Sequence, residues 1–525
     1  MTALAILGAL AGPVAAAELS ADDVGAALRR SLDRAVEANP AAVPLRQAYQ
    51  AMGFRPLWTG ERGGALVRAL KQVDVDGLRP AAYDTARLAQ RVDSPPAAPA
   101  AAAELDLQLS RTLVRYAGDV RYGITDPQKV EPEYHVPHTR VVDVAAVLSG
   151  AAGAVDMQAY LAGLAPQSDD YRALKNALGY YRAIAAAGGW PKVAEGPSLR
   201  PDERGDRVPA LRARLAAERL VPAASEDPEL FDATLADGLK TFQGRQGLEP
   251  DGVLGVRTVR ALNTSAEARV DQIVLNMERR RWLDRDLGRL HIIVNLADFS
   301  LKLVDGDRTL LESRVIVGTL DNQTPILSAR LSHVEFNPYW NVPYGIARKE
   351  LLPEIQKDLR YLEKKRIRVF ARIDGERQEV DPTLVDWRRY NQNNFPFVLR
   401  QDPGDLNSLG RIKFVIPNRH DIYLHDTPSR GLFRRSLRSF SHGCIRVEKA
   451  RELADILLQG NRGWTPELVS ESLASEERRT LALTRSPVVH LVYLTAWVDS
   501  EGVMQFRGDL YGRDRVLSQA LSRQA

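Results

Sequence analysis

One cysteine, Cys444, occurs in the 525 residues. No internal disulfide can form, and an odd cysteine in an exported chain marks a reactive thiol. Excess charge is lacking too, with 71 Lys and Arg against 67 Asp and Glu for a net charge of +4. With a pI near 9.0, the chain is too weakly basic to argue for nucleic acid, although it suits an anionic polymer. Beyond the N-terminus no apolar run is long enough to span a bilayer. What remains is an ordinary globular composition, 26% charged and 45% hydrophobic, and a length that predicts about two to four domains.

Residues 1–17, MTALAILGALAGPVAAA, are uncharged and end in Ala15-Ala16-Ala17, an A-x-A cleavage pattern before Glu18. They read as a secretory signal. No Lys or Arg forms a positive n-region, and an uncleaved anchor is the alternative. Such a signal would export the protein from the cytoplasm. Residues 18–195 are expected to form a helical, Ala-rich scaffold. Val24–Ala35 and Leu107–Tyr116 carry helical faces, and Tyr171, Leu174, Leu178, Tyr181 and Ile184 make a stripe that reads as core. Ser94–Ala103, SPPAAPAAAA, reads as a low-complexity loop. His135 and His138 stand three apart, but Pro137 breaks any helical face and no acidic or Cys partner is spaced to complete a metal site. A loop role is the simpler reading.

Gly188-Gly189-Trp190-Pro191 opens a linker that runs to about Asp206. Val208–Leu220 and Phe231–Gln246 then show helical patterns, and Thr258–Leu262 starts a third helix after a turn-rich loop. From Leu290 the period changes. His291–Leu296, Ser300–Val304, Leu310–Val317 and Leu331–Phe336 read as strands, with Asp305-Gly306 as a hairpin signal. An insertion at 345–405 holds a charged helix, Lys349–Lys365, a β-rich run, Ile367–Ile373, and the aromatics Trp387, Tyr390 and Phe395. Its place between two parts of a mostly β region suggests a lid that binds polar peptide; a packing insertion is the alternative. Asn461–Thr480 reads as polar and helical. Val488–Val498 reads as one strand carrying a structural His490, with Met504–Tyr511 returning to complete the sheet.

The stretch His425–Arg446, HDTPSRGLFRRSLRSFSHGCIR, surrounds the thiol. Apolar alternation in Arg411–Leu424 predicts two short strands around Pro417-Asn418, and Val447–Leu458 reads as an amphipathic helix. Cys444 is thus expected in a Gly443-permitted turn just before a helix, whose dipole would favour thiolate over a thiol of pKa about 8.5. A lone cysteine is more often a small buried hydrophobe. Here two histidines and several arginines share the segment, and Cys–His pairing is a standard way to activate a nucleophile.

Ser441-His442-Gly443-Cys444 followed by Ile445-Arg446, with His425 upstream, resembles the signature of the L,D-transpeptidases of bacterial peptidoglycan. The run FQGRQGLEPDGVLGVRTVRALN is similar to the small three-helix peptidoglycan-binding domain. Together they resemble the large periplasmic multidomain branch of that family. The expected fold is multidomain α+β: a helical scaffold at 18–195, a three-helix peptidoglycan-binding domain at 200–266, and a mostly β catalytic domain at 288–465. The resemblance makes 345–405 an inserted capping subdomain, and residues 466–525 would complete the catalytic domain with a helix and a hairpin.

The resemblance implies Cys444 as nucleophile and His425 as base, with His442 the runner-up. Gly443 and Cys444 N–H groups would face the oxyanion, and Ser441, His442 and Arg446 would support the turn or a substrate carboxylate. Tyr339, Trp340, Asn341 and Tyr423 would bind substrate. The family often has Ser after its upstream His; this chain has Asp426, so that neighbour's role does not carry over directly. Peptidoglycan stem peptides would be the substrates, in 3→3 cross-linking with release of D-alanine, and carbapenems would acylate the thiol. No metal, nucleotide or organic cofactor is implied, nor a nucleic-acid partner. A monomer, with cell-wall synthesis proteins as partners, is expected. A cysteine hydrolase of the same stems and a non-catalytic wall-binding protein are the competing readings.

Overall fold

The computed structural model describes residues 20–136, 140–283 and 286–524. The expected signal at 1–17 and His138 lie outside them. Residues 20–124, 140–175 and 521–524 form one compact unit, and 125–136, 176–283 and 286–520 a second. The first is helical. Ser20 caps Ala21–Ala38 by accepting the Asp22 N–H, and that helix buries Leu28 and Leu32 against Pro99–Tyr122. Pro99–Tyr122 is central: Leu105, Leu107, Leu109, Leu113 and Tyr116 are buried around it. Its buried Asp106 carboxylate accepts the N–H groups of Leu57 (2.8 Å) and Trp58 (2.9 Å) and the Tyr49 hydroxyl. Only the first half of SPPAAPAAAA is loop. Pro99 sits at the first helical position, where its missing N–H costs nothing, and the alanines after it propagate the helix.

In the second unit, Val208–Ala217, Ala233–Arg245 and Val256–Leu262 enclose a core of Leu211, Leu215, Phe231, Leu239, Phe242, Val259 and Leu262. The turn before the third helix is built by Gln243, whose amide accepts from Gly252 N (2.8 Å) and donates to the Asp251 carboxylate (2.8 Å). A long helix with no sequence-based prediction, Ala266–Trp282, follows.

An eleven-stranded sheet carries the region around Cys444, in the order Arg479–Ala482, His333–Phe336, Ile412–Val415, Leu424–His425, Ile445–Val447, Arg308–Gly318, Ser300–Asp305, Leu290–Asn295, Val488–Val492, Leu327–Arg330, with Ser439–Ser441 alongside Arg308–Gly318. Arg308–Gly318 joins the two halves, pairing with Ser300–Asp305 over most of its length and with Ile445–Val447 at its end. The expected single strand Val488–Val498 is two. Val488–Val492 lies in the main sheet, whereas Ala496–Val498 pairs with Met504–Phe506 in a separate two-stranded sheet. Side chains break the run: Asn295 Oδ1 accepts the Leu494 N–H (3.0 Å) and Asn276 Oδ1 the Thr495 N–H (2.9 Å). The hairpin therefore does not complete the main sheet, and a helix, Arg513–Ser522, comes after it. His490 is buried in its strand, bonded to Ser328 Oγ (2.8 Å) and the Leu287 carbonyl (3.0 Å). The polar stretch after Asn461 is helical at Pro466–Ala474 and then turns into the edge strand Arg479–Ala482.

The insertion is a small body with its own sheet, Trp340–Asn341, Val398–Gln401, Ile367–Ile373, Glu376–Glu379. The expected helix Lys349–Lys365 is broken into Ala347–Leu351, Leu352–Lys357 and Arg360–Lys364, with Asp358 extended between the last two. Pro353 lacks the N–H that a continuous helix would need there. Trp387 and Phe395 are not a peptide-binding surface. They are buried with Leu352, Ile355, Val369, Phe397 and Leu399 in the core of the insertion, because a body this small must spend its large apolar side chains on its own interior.

Candidate active site

Cys444 lies in a turn between Ser439–Ser441 and Ile445–Val447. No helix starts at the thiol. Ile445 and Val447 are β-branched and buried on one face, so the chain continues as a strand between Leu424–His425 and Arg308–Gly318, and the helix opens only at Ala450. Helix-dipole activation of Cys444 is thereby removed. The turn is fixed by side chains. Ser441 Oγ accepts the Gly443 N–H (3.2 Å) and donates to the Cys444 carbonyl (2.5 Å), while Thr324 Oγ1 donates to the Gly443 carbonyl (2.7 Å). Gly443 has φ +110°, a backbone conformation that favours glycine, and a Cβ there would also press on Ile422 Cδ1 at 3.3 Å. Because Ser441 takes the Gly443 N–H, that group is not free for an oxyanion. Among the described residues no acceptor meets the Cys444 N–H.

The pairing of Leu424 with Ile445 and His425 with Arg446 sets one face. Side chains alternate along a strand, so Tyr423, His425, Cys444 and Arg446 project to the same side. His425 is buried, and its Nδ1 faces the Asp426 carbonyl at 2.6 Å. Burial above all, then the Arg446 guanidinium, lowers its pKa to about 3, so the ring is neutral. The Asp426 carboxylate is engaged elsewhere, by Arg411 N–H (3.0 Å) and Arg430 (3.2 Å). The residue after the histidine thus contributes its main chain, which any side chain permits, and the departure from Ser is immaterial to that bond.

Burial pushes the Cys444 thiol up as well, against the opposing pull of Tyr423, Lys413 and Arg446. Its hydrogen-bond partners are the Asp421 carbonyl at 3.7 Å and Tyr423, not an imidazole. The Tyr423 ring is held at 5.6 Å from that of His425, with Lys413 Nζ 4.3 Å over its face. His442 points away from the thiol pair, with its Nε2 2.5 Å from Glu350 Oε1 in the insertion. The Arg446 Nε is buried without a partner.

A cleft of about 840 Å³ brings together Cys444, His425, Ser441, His442, Arg446, Tyr339, Trp340, Asn341 and Tyr423, every residue proposed from sequence except Gly443. Lys413, Glu350, His420 and Asp421 also line it and were missed. Lys413 was legible in principle, since Ile412–Val415 alternates and Lys413 sits on the register position opposite His425.

Three family models match in chain order: "Scaffold domain" at residues 43–178, "Putative peptidoglycan binding domain" at 204–262 and "L,D-transpeptidase catalytic domain" at 289–468. The chain is thus a multidomain α+β protein with a helical N-terminal region, a peptidoglycan-binding domain and a mostly β catalytic domain. That catalytic domain is an L,D-transpeptidase domain. A curated protein of Haemophilus influenzae, named "Putative L,D-transpeptidase", is 39% identical over 260 residues, 49% of this chain and 51% of the relative. The chain therefore spans about half the length of that relative. A second, the N-acetylmuramoyl-L-alanine amidase CwlM of Mycobacterium tuberculosis, is 34% identical over 84 residues, 14% of this chain and 21% of the relative. Among solved structures, an L,D-transpeptidase of Xylanimonas cellulosilytica is 14% identical at TM-score 0.18, covering 57% of this chain and 100% of its own. One from Stackebrandtia nassauensis is 11% identical at TM-score 0.21, covering 57% and 96%.

Proposed function

We propose that the protein is an exported, periplasmic enzyme that forms 3→3 peptidoglycan cross-links through a thioester on Cys444. The observation that supports this most is the shared face of Tyr423, His425, Cys444 and Arg446 in one cleft. The resting pair is a neutral thiol beside a neutral imidazole. For attack, the S–H turns from Asp421 toward His425, whose Nδ1 bond to the Asp426 carbonyl leaves Nε2 as acceptor. The sulfur adds to the carbonyl of the third residue of a tetrapeptide stem. The oxyanion is met by the Cys444 N–H, with the Tyr423 phenol in the same cleft as a further donor. Collapse expels D-alanine, whose nitrogen takes the proton held by His425, and whose carboxylate is suited to the unpartnered Arg446. The side-chain amine of a neighbouring stem then attacks the thioester, restoring the thiol. The peptidoglycan-binding domain would hold the chain on its polymer.

The insertion serves as a cap in this reading. Glu350 reaches from it to His442, two residues before the nucleophile, so cap position and the catalytic turn are mechanically connected. A closed cap excludes water and protects the thioester until an amine arrives. Incubation with tetrapeptide muropeptides, followed by mass spectrometry, tests the proposal. Cross-linked dimers and free D-alanine are expected from the wild type, and neither these nor carbapenem labelling from Cys444→Ala. Tripeptide monomers alone would make the protein a hydrolase, and turnover by a folded Cys444→Ala would remove the thioester.

A further inference from the structure

His135 and its neighbours meet a residue far along the chain. The segment Glu133-Tyr134-His135 is held on the main sheet, where His135 N–H donates to the Ile326 carbonyl (2.9 Å) and the His135 carbonyl accepts from Ser328 N–H (3.1 Å). The His135 ring stacks on that of His420, with centroids 4.7 Å apart and an angle of 16°. The carboxylate of Glu133 reaches both, at 3.2 Å from His420 Nδ1 and 4.0 Å from His135 Nε2. One ligand atom from each of the three lies within 4.8 Å of the others.

We propose that Glu133, His135 and His420 form a binding site for a divalent transition ion of the zinc class, set at the edge of the catalytic cleft. Two imidazoles and a carboxylate are the donor set such ions accept. Metal–ligand bonds of about 2.0–2.1 Å at tetrahedral angles put ligand atoms roughly 3.3 Å apart. From the observed 3.2 and 4.0 Å, and a third separation within 4.8 Å, the ligands must close up and the two stacked rings tilt toward a common ion. The His135 Nε2 is buried and has no hydrogen-bond partner, and a buried ring nitrogen left in that state is relieved by a metal bond.

Both supports are preorganised. The loop bearing His420 is knitted by Asn418, whose Oδ1 accepts the N–H groups of His420 (3.0 Å) and Ile422 (3.2 Å), and whose Nδ2 donates to the Ile416 and Ile422 carbonyls (2.6 and 2.7 Å). Among the described residues Arg419 is an unfavourable neighbour: its Nε lies 3.3 Å from His420 Nε2 and must swing outward. The next residue, Asp421, provides the carbonyl that holds the Cys444 thiol. An ion would therefore pin the loop that carries Asp421 and leads to Tyr423, a role separate from the reaction proposed above.

Calorimetric titration of the full chain, free of any affinity tag, with Zn²⁺ at neutral pH tests this. One saturable equivalent is expected. His135→Ala and His420→Ala should each weaken binding by at least about tenfold, and Cys444→Ala should leave it unchanged. Zinc should also raise the thermal midpoint of the wild type but not of Glu133→Gln. That second measurement stands even if a histidine variant folds poorly, because Glu133 is exposed. Absence of saturable binding, loss with Cys444→Ala, or full binding in either histidine variant would overturn the site.

Discussion

A buried neutral histidine makes stability depend on pH in a direction that can be worked out in advance. His425 has an ordinary unfolded pKa near 6.5, and burial lowers it to about 3 in the fold. Between these values the unfolded chain binds a proton that the folded chain refuses, so stability falls as pH drops from about 6.5 toward 3. Each pH unit in that window removes up to about 1.4 kcal/mol, or roughly 3 kcal/mol by pH ~4.5. Replacing the ring with Gln deletes this dependence. Absolute stability changes as well, through the lost bond to the Asp426 carbonyl, so the comparison is of slopes. Urea titrations of wild type and His425→Gln, read by pulse proteolysis of the catalytic region at several pH values, give the difference. The wild type should lose stability faster on acidification by up to about 1.4 kcal/mol per pH unit below pH ~6. Parallel curves would show that the imidazole protonates in place, and the neutral-base argument would fail.

Three further expectations follow from the same geometry. His425→Ala should lower cross-linking about 10²–10⁴-fold, with His442→Ala costing far less; the reverse order in folded proteins would exchange their roles. Alkylation of Cys444 should continue to accelerate above pH ~8.5, since burial raises the thiol, and a plateau reached below pH ~7 would contradict that. Glu350→Gln removes the carboxylate from a half-exposed contact to His442, a surface contact worth about 0.2–1 kcal/mol. It should raise the hydrolysed fraction of product by up to roughly fivefold, whereas an unchanged dimer-to-tripeptide ratio would separate the cap from water exclusion.

The site was legible in sequence wherever its parts are close in the chain or lie on a strand. Ser441 to Cys444 are contiguous, and His425 closes an alternating run, so the residues proposed as nucleophile and base could be picked out directly. Interactions set by tertiary context could not. Ile445–Val447 is too short for periodicity to separate a strand from the start of a helix, and pairing on both sides decided it. Asn276 and Asn295 break the run at Leu494-Thr495 from remote positions. Trp387 and Phe395 looked available because nothing in their neighbourhood reveals that the insertion has a core of its own. The same distance hid His420 as a companion for His135, which sequence spacing had paired with His138.

The rise in the thiol's pKa has a chemical consequence outside catalysis. Thiolate, not thiol, attacks peroxides and disulfides, and an unpaired cysteine that meets such oxidants is open to both reactions. Kept protonated by burial and turned toward the Asp421 carbonyl, Cys444 presents little thiolate while idle. The protein has no second cysteine to reverse a sulfenic acid by forming a disulfide. Suppressing the first oxidation step would then preserve the thiol that the proposed reaction needs.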